Sequence, residues 1–147
     1  MGIALNDDVK QLVDRPNFAH LATIMSDGSP QSAPVWVGRE ADLLLVCIEA
    51  GSLKGKNTAR DPRVSLSIVD FADPYMEVQI RGRVLERRPD PEFKYYDAIS
   101  HKYTGESWPY RDEKSRIVLV IEVLKAHYSA HPFKHTPPGS FKSAPHA

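Results

Sequence analysis

Apolar residues recur at Leu5, Val9, Leu12 and Val13, a spacing of three to four that predicts a short amphipathic helix. Asn6 or Asp7 can cap it, and Pro16 ends it. The pattern then changes period. Residues 18–25 read as a strand, residues 26–29 as a hairpin turn carried by Asp27-Gly28, and residues 31–38 as the partner strand. A polar break at residues 39–42 precedes the apolar run 43–48, and three antiparallel strands in a meander are the simplest arrangement of these pieces.

After that run, Gly51 and Ser52 turn the chain and a short helix carries Lys54, Lys56 and Arg60 within two turns. Asp61-Pro62 stops it, and residues 63–69 place Val64, Leu66 and Ile68 on one strand face. Residues 75–85 alternate Tyr75, Glu77, Gln79, Arg81 and Arg83 against Met76, Val78, Ile80, Gly82 and Val84, so one face is core and the other polar. Pro89-Asp90-Pro91 opens a helix through Phe93, Tyr96 and Ile99 to about Tyr103, followed by an aromatic-rich polar loop and a last strand over residues 115–129. Pro132, Pro137, Pro138 and Pro145 then predict an extended tail, giving one domain over residues 1–130 and a tail over 131–147. The expected fold class is mainly β: six antiparallel strands in a small closed or partly closed barrel with short flanking helices.

Composition adds constraints. The chain has 147 residues, 41% hydrophobic and 26% charged, which is ordinary globular usage for a single domain. Nineteen Lys plus Arg balance nineteen Asp plus Glu, so the molecule carries no overall bias toward nucleic acid or anionic lipid, and any anion binding is local. The single cysteine, Cys47, excludes an internal disulfide and reads as packing, and no segment is apolar enough to span a bilayer. A cytoplasmic protein is expected. The stretch after the 43–48 strand has the composition of an anion site: backbone N–H groups at Gly51 and Ser52, the positive start of a helix, and the Lys54 and Lys56 ammonium groups. Taken alone, the same lysines read more readily as solvated surface. Trp36 is either a core or interface residue or a cofactor contact, and Tyr95, Tyr96, Tyr103, Trp108 and Tyr110 are either helix-to-barrel packing or a lid over an aromatic substrate. His127, His131 and His135 are spaced by four, but Pro132 breaks the helix that would align them, so no metal site is expected.

The pieces Ala22-Thr23-Ile24, Asp27-Gly28-Ser29-Pro30, Pro34-Val35-Trp36, Ser52-Leu53-Lys54, Asn57, Asp61-Pro62-Arg63-Val64 and Gly82-Arg83-Val84 together resemble the pyridoxamine-phosphate-oxidase-like split β-barrel flavoproteins. The likeness is strongest to the branch that binds the deazaflavin coenzyme F-420. This resemblance implies a homodimer with cofactor sites at the interface and a small-molecule substrate. It implies that the ring lies across Ser32, Ala33, Pro34, Val35 and Trp36, that the phosphate sits against Ser52 and Lys54, that Ile48, Lys56, Asn57 and Arg60 also belong to the cofactor site, and that Tyr75 and Gln79 come from the partner. The arginines with which the vitamin oxidases hold flavin phosphate are missing, Ser32 or Ala33 and Leu53 standing in those places, and the chain lacks their closing tryptophan and arginine. These departures point away from vitamin oxidase activity and toward a longer anionic tail, hence F-420 ahead of FMN. The function implied is hydride transfer from reduced deazaflavin to a small conjugated substrate, with an FMN-binding redox protein and a non-catalytic cofactor carrier as alternatives. No acid–base pair stands out, so no catalytic residue is assigned. The apolar excess in Val35, Trp36, Val37 and residues 43–48 is consistent with a dimer, and Val37 is a candidate interface position.

Overall fold

A computed structural model describes residues 2–112 and 114–137. Helix α1 (Asp7–Asp14) starts where the Asn6 side chain accepts the Val9 N–H at 2.9 Å, and it buries Val9, Leu12 and Val13. Strands β1 (Ala19–Ile24) and β2 (Pro30–Val35) form the first hairpin. In its turn the Asp27 carboxylate accepts the Ser29 N–H and hydroxyl, while Gly28 takes a φ of 87° that a side chain would resist. Then follow β3 (Gly38–Glu40), β4 (Leu43–Glu49), helix α2 (Leu53–Arg60), β5 (Arg63–Val69), β6 (Met76–Pro89), helix α3 (Lys94–Thr104) and β7 (Arg116–Ala130). No helix among the described residues is long and apolar enough to cross a membrane. The tail residues 138–147 lie outside the described residues.

The sheet has seven strands in the order β2-β1-β5-β6-β7-β4-β3, every neighbouring pair antiparallel. The six-strand expectation is therefore corrected by one. Residues 31–38 do not form a single strand: they break at Trp36 and Val37 into β2 and β3, which occupy opposite edges of the sheet. A link of two residues reaches only about 10 Å, so the sheet curls until its edges face each other across a seam. That is a split barrel. The curl is taken up in β6 and β7, whose register shifts at Arg81/Gly82 and Val84/Glu86. Gly82 makes the first shift sterically possible, since a Cβ there would lie 2.6 Å from the Glu122 carbonyl oxygen.

Alternation along β1, β5 and β6 turns Ala19, Leu21, Leu66, Ile68, Val78 and Ile80 inward, where they meet α1 in the main core. Strand β4 and the start of β7 are buried on both faces. Leu44, Val46 and Ile48 point into the barrel, while Leu45, Val118 and Val120 pack beneath Ile99 of α3. The apolar excess consistent with a partner is thus covered, in large part, by a helix of the same chain. Val37 is corrected likewise: it is fully buried in its own barrel.

Helix α3 also closes the seam. The Tyr103 hydroxyl accepts the Val37 N–H at 3.2 Å and donates to the Asn17 carbonyl at 2.5 Å. The Lys102 ammonium donates to the carbonyls of Val37 and Val13. Both backbone groups of the crossing residue are therefore satisfied by α3 side chains, as a buried backbone requires. Burial pushes the Tyr103 phenol up and draws the Lys102 amine down to about 8.

Below the seam, α2 is seated against β4 by close backbone approach. A Cβ at Gly55 would sit 2.3 Å from the Ala50 carbonyl oxygen and 2.6 Å from that of Glu49, so only glycine fits.

Three outcomes are expected from these contacts. Tyr103→Phe keeps the ring but strands the Val37 N–H and the Asn17 carbonyl, and urea titration should show a loss of about 1–3 kcal/mol. Lys102 titrates near 8 when folded against an ordinary value of 10.5, so between those pH values the unfolded chain binds more protons and the stability contribution of Lys102 rises with pH. The unfolding free energy of wild type relative to Lys102→Met should accordingly increase from pH 8 to pH 10, and a flat or falling difference contradicts this placement. Gly55→Ala should destabilise by about 1–3 kcal/mol through overpacking, seen as a lower urea midpoint with an unchanged slope.

Candidate functional site

The turn from β4 into α2 is built by Ser52. Its hydroxyl accepts the Gly55 N–H at 3.1 Å and donates to the Glu49 carbonyl at 2.7 Å, which caps the helix. Its own N–H is bonded to the Glu49 carbonyl at 3.1 Å, so the Ser52 N–H expected to be open to an anion is used within the turn. Asn57 is buried at 1% exposure. Its amide donates to the Thr23 hydroxyl at 3.0 Å and the Met25 sulfur at 3.3 Å, and its oxygen accepts from Arg60 at 2.9 Å. Arg60 also donates to the Ile24 carbonyl at 2.8 Å. These two side chains tie the helix to β1. Thr58 is held in turn by Arg87 at 2.7 Å. Lys56 points to solvent. Lys54 is half-buried, and its ammonium makes no hydrogen bond or ion pair with any described residue.

Lys54 lines a groove of about 390 Å³ that runs along the seam. Pro34, Val35 and Trp36 form the β2 side, Cys47 contributes from β4, the strand next to the β3 edge, and Tyr96, Ile99 and Trp108 close it from α3 and the loop beyond. Trp36 packs against two other aromatic rings. It stacks on Tyr103 with centroids 5.1 Å apart and planes 6° from parallel, and meets Trp108 edge-on at 5.9 Å. Burial, with a smaller contribution from the Asp90 charge, pushes the Cys47 thiol up, so it stays protonated.

Four of the residues singled out from sequence, Pro34, Val35, Trp36 and Lys54, thus meet in one groove. Ile48 does not line it; its side chain is in the barrel core at 4% exposure, because alternation along β4 sends Cys47 outward and Ile48 inward. Ala33 sits opposite Leu21 on the inward-facing set of β2. Ser32 and Gln79 line a second groove of about 370 Å³ on the outer face of the sheet. Tyr75 lies at the far end of the β5–β6 hairpin, edge-on to Phe133 at 5.2 Å and with its carbonyl accepting the His131 N–H at 3.0 Å. Phe18, Cys47 and Ile99 are lining residues that sequence reasoning did not place in the site. The outward phase of β4 was the available signal for Cys47, whereas Phe18 and Ile99 depend on long-range packing.

Comparison with known proteins agrees with this architecture. The model for the pyridoxamine 5'-phosphate oxidase family matches residues 5–130. No curated protein matches the chain. Among solved structures, an F-420 reductase superposes with a TM-score of 0.75 at 28% identity, over 80% of this chain and 94% of that one. A conserved hypothetical protein from Mycobacterium tuberculosis gives 0.74 at 23% identity over 94% of each chain. A heme binding protein from Mycobacterium smegmatis gives 0.65 at 24% identity, over 87% of this chain and 55% of that one. Below a quarter identity the last two likenesses speak for the fold alone. The family match spans nearly the whole barrel, and the chain belongs to the pyridoxamine 5'-phosphate oxidase family.

Proposed function

We propose that this protein is an oxidoreductase that binds coenzyme F-420 in the seam groove and uses it to reduce a small conjugated organic substrate, with FMN as the alternative cofactor. The observation that carries this reading is the meeting of Lys54 with Pro34, Val35 and Trp36 in one groove. The residues present suit such a group: flat aromatic and aliphatic walls at Trp36, Trp108 and Ile99 match a planar ring, and a half-buried cation without an acidic partner matches its anionic substituent. Among the described residues, Lys54 is the one cation lining that groove, and Arg60 is engaged with Ile24 and Asn57, which suits an anionic tail spread toward Lys56 better than a compact phosphate. The 28% identity to an F-420 reductase adds support for that choice of cofactor.

When bound, the reduced cofactor supplies a hydride to an electron-poor double bond. The chain contributes orientation and exclusion of water. Trp36, held against Tyr103, fixes one wall; Ile99 and Trp108 cover the groove; Lys54 neutralises the anion at its end. None of the described lining residues is a carboxylate or histidine and Cys47 keeps its proton, so the proton that completes the reduction comes from water or from an acid near the groove, and no residue is assigned to that step. A homodimer belongs to the same reading. Tyr75 and Gln79, which do not line the Lys54 groove of their own chain, are the residues this reading assigns to a second copy. The apolar density of β4 no longer argues for that dimer, and its support is the family membership together with this division of residues.

The test is a fluorescence titration of wild type and Lys54→Ala with F-420 and with FMN, followed by turnover assays with enone and quinone acceptors. Lys54→Ala should weaken cofactor binding by about 1.5–3 kcal/mol, the range for a hydrogen bond to a charged group, with an unchanged unfolding midpoint. Equal affinity of variant and wild type sinks the groove assignment. Tight binding without turnover favours a carrier. Running the titration over a dilution series, with sedimentation on the same samples, reads the shared site: apparent affinity should fall with the dimer fraction.

A further inference from the structure

Tyr75 and Gln79, the side chains that the proposed function brings from a second copy, bring their neighbours with them. Residues opposite each other on adjacent strands share a face, with Cβ atoms within about 5.5 Å. Across β6 and β7, Ser129 stands opposite Glu77 and His127 opposite Gln79, and the Tyr75 carbonyl accepts the His131 N–H at 3.0 Å. A surface that receives both Tyr75 and Gln79 therefore also receives Glu77, Ser129 and His127.

Within that block one group is built to handle a proton. The Glu77 carboxylate is taken up as acceptor of the Gln79 amide N–H at 3.2 Å. A phenol such as that of Tyr75 is, as a class, a far weaker acid than an imidazolium. His127 is exposed, lines the outer groove beside Gln79, and has its Nε2 3.2 Å from the Ser129 Oγ. Its Nδ1 has no hydrogen bond to any described residue. An imidazole tethered at one nitrogen and open at the other, on a regular strand, has the form of a proton donor with a defined direction. The seam groove lacks such a group, since no carboxylate or histidine is among its described lining residues. The other imidazole on this face, His20, stands beyond Ser67, two strands from Gln79, and opposite Pro34 of its own chain.

We propose, on the reading that brings Tyr75 and Gln79 from a second copy, that His127 of that copy is the acid that protonates the substrate at the seam groove, with Ser129 positioning its ring. The conjugated acceptor takes a hydride at one end of its double bond, and the electron pair displaced to the other end takes the proton of the imidazolium. Neutral His127 then regains a proton from water. The balance closes with oxidation of the hydride donor and release of one proton from it to solvent, so the acceptor gains two hydrogens and the cofactor loses two.

The experiment uses the full chain with F-420 and the enone and quinone acceptors. His127→Gln should bind F-420 with wild-type affinity and sediment as wild type, while kcat falls about 100-fold and KM holds. Imidazole added to the buffer should restore part of the lost rate, which a merely structural defect would not allow. Subunit exchange between His127→Gln and Lys54→Ala gives mixed dimers in which one site has both an intact Lys54 and an intact His127. The mixture should therefore turn over faster than either variant alone, whereas a His127 serving its own chain's groove leaves a defect in every site. A readout without turnover comes from isotope-labelled histidine: the ring resonance that disappears in His127→Gln should shift when oxidised F-420 is added to wild type. An unchanged kcat in His127→Gln, a loss in His20→Gln in its place, no recovery in the mixture, or a His127 resonance indifferent to F-420 overturns this role and leaves the cofactor assignment standing. A wild type that binds neither F-420 nor FMN overturns both.

Discussion

The architecture depends on the hydrogen bonding of one residue, Val37. The chain must carry β2 on one sheet edge and β3 on the other, and between them it has only Trp36 and Val37. At that crossing neither sheet edge supplies partners for the Val37 backbone, yet the residue is fully buried. Tyr103 and Lys102 take its N–H and carbonyl, and Lys102 ends α1 at Val13 with the same ammonium group. One turn of α3 thereby joins barrel seam, first helix and outer layer. The Trp36 ring, stacked on Tyr103, inherits its position from this clamp, so the wall of the seam groove is fixed by the device that lets the barrel remain split.

The basic helix shows how a fold isolates one charge for use. Of the three cations on α2, Arg60 is consumed in binding β1 and Lys56 is left in solvent. Ser52, Asn57 and Gly55 set the helix position through capping, a buried amide and backbone contact. Lys54 alone is half-buried and unpaired, which makes its charge more effective toward an anion than one in bulk water. The anchoring residues are as important to the groove as the lysine, although they present nothing to it.

Much of the fold was legible because the period of the apolar positions is local information. Apart from β3, each helix and strand from α1 to β7 was visible as a change between helical and alternating patterns, and Asn6, Asp27-Gly28 and Asp61-Pro62 marked real boundaries. The break at Trp36–Val37 was not legible. Val35, Trp36 and Val37 all favour strand, and the interruption is imposed by Tyr103 and Lys102, more than sixty residues away in sequence. The site divided along the same line. Lys54 and the β2 residues stood out by type, whereas Asn57 and Ser52 looked like ligands because a polar side chain beside lysines has the same signature whether it binds a ligand or caps a helix. Ile48 in place of Cys47 was an error of strand phase, settled only by knowing which face α3 covers.

The seam also orders the events of folding. Its clamp joins positions separated by 65 and 66 residues, while β1–β2 and β3–β4 are hairpins between neighbours in sequence. Closing so long a loop costs chain entropy that the clamp recovers only after α3 has docked on β4 and β7. The hairpins close short loops, the seam a long one. Because the Trp36 wall of the groove rests on the same clamp, loss of the Tyr103 or Lys102 contacts would loosen the groove together with the seam.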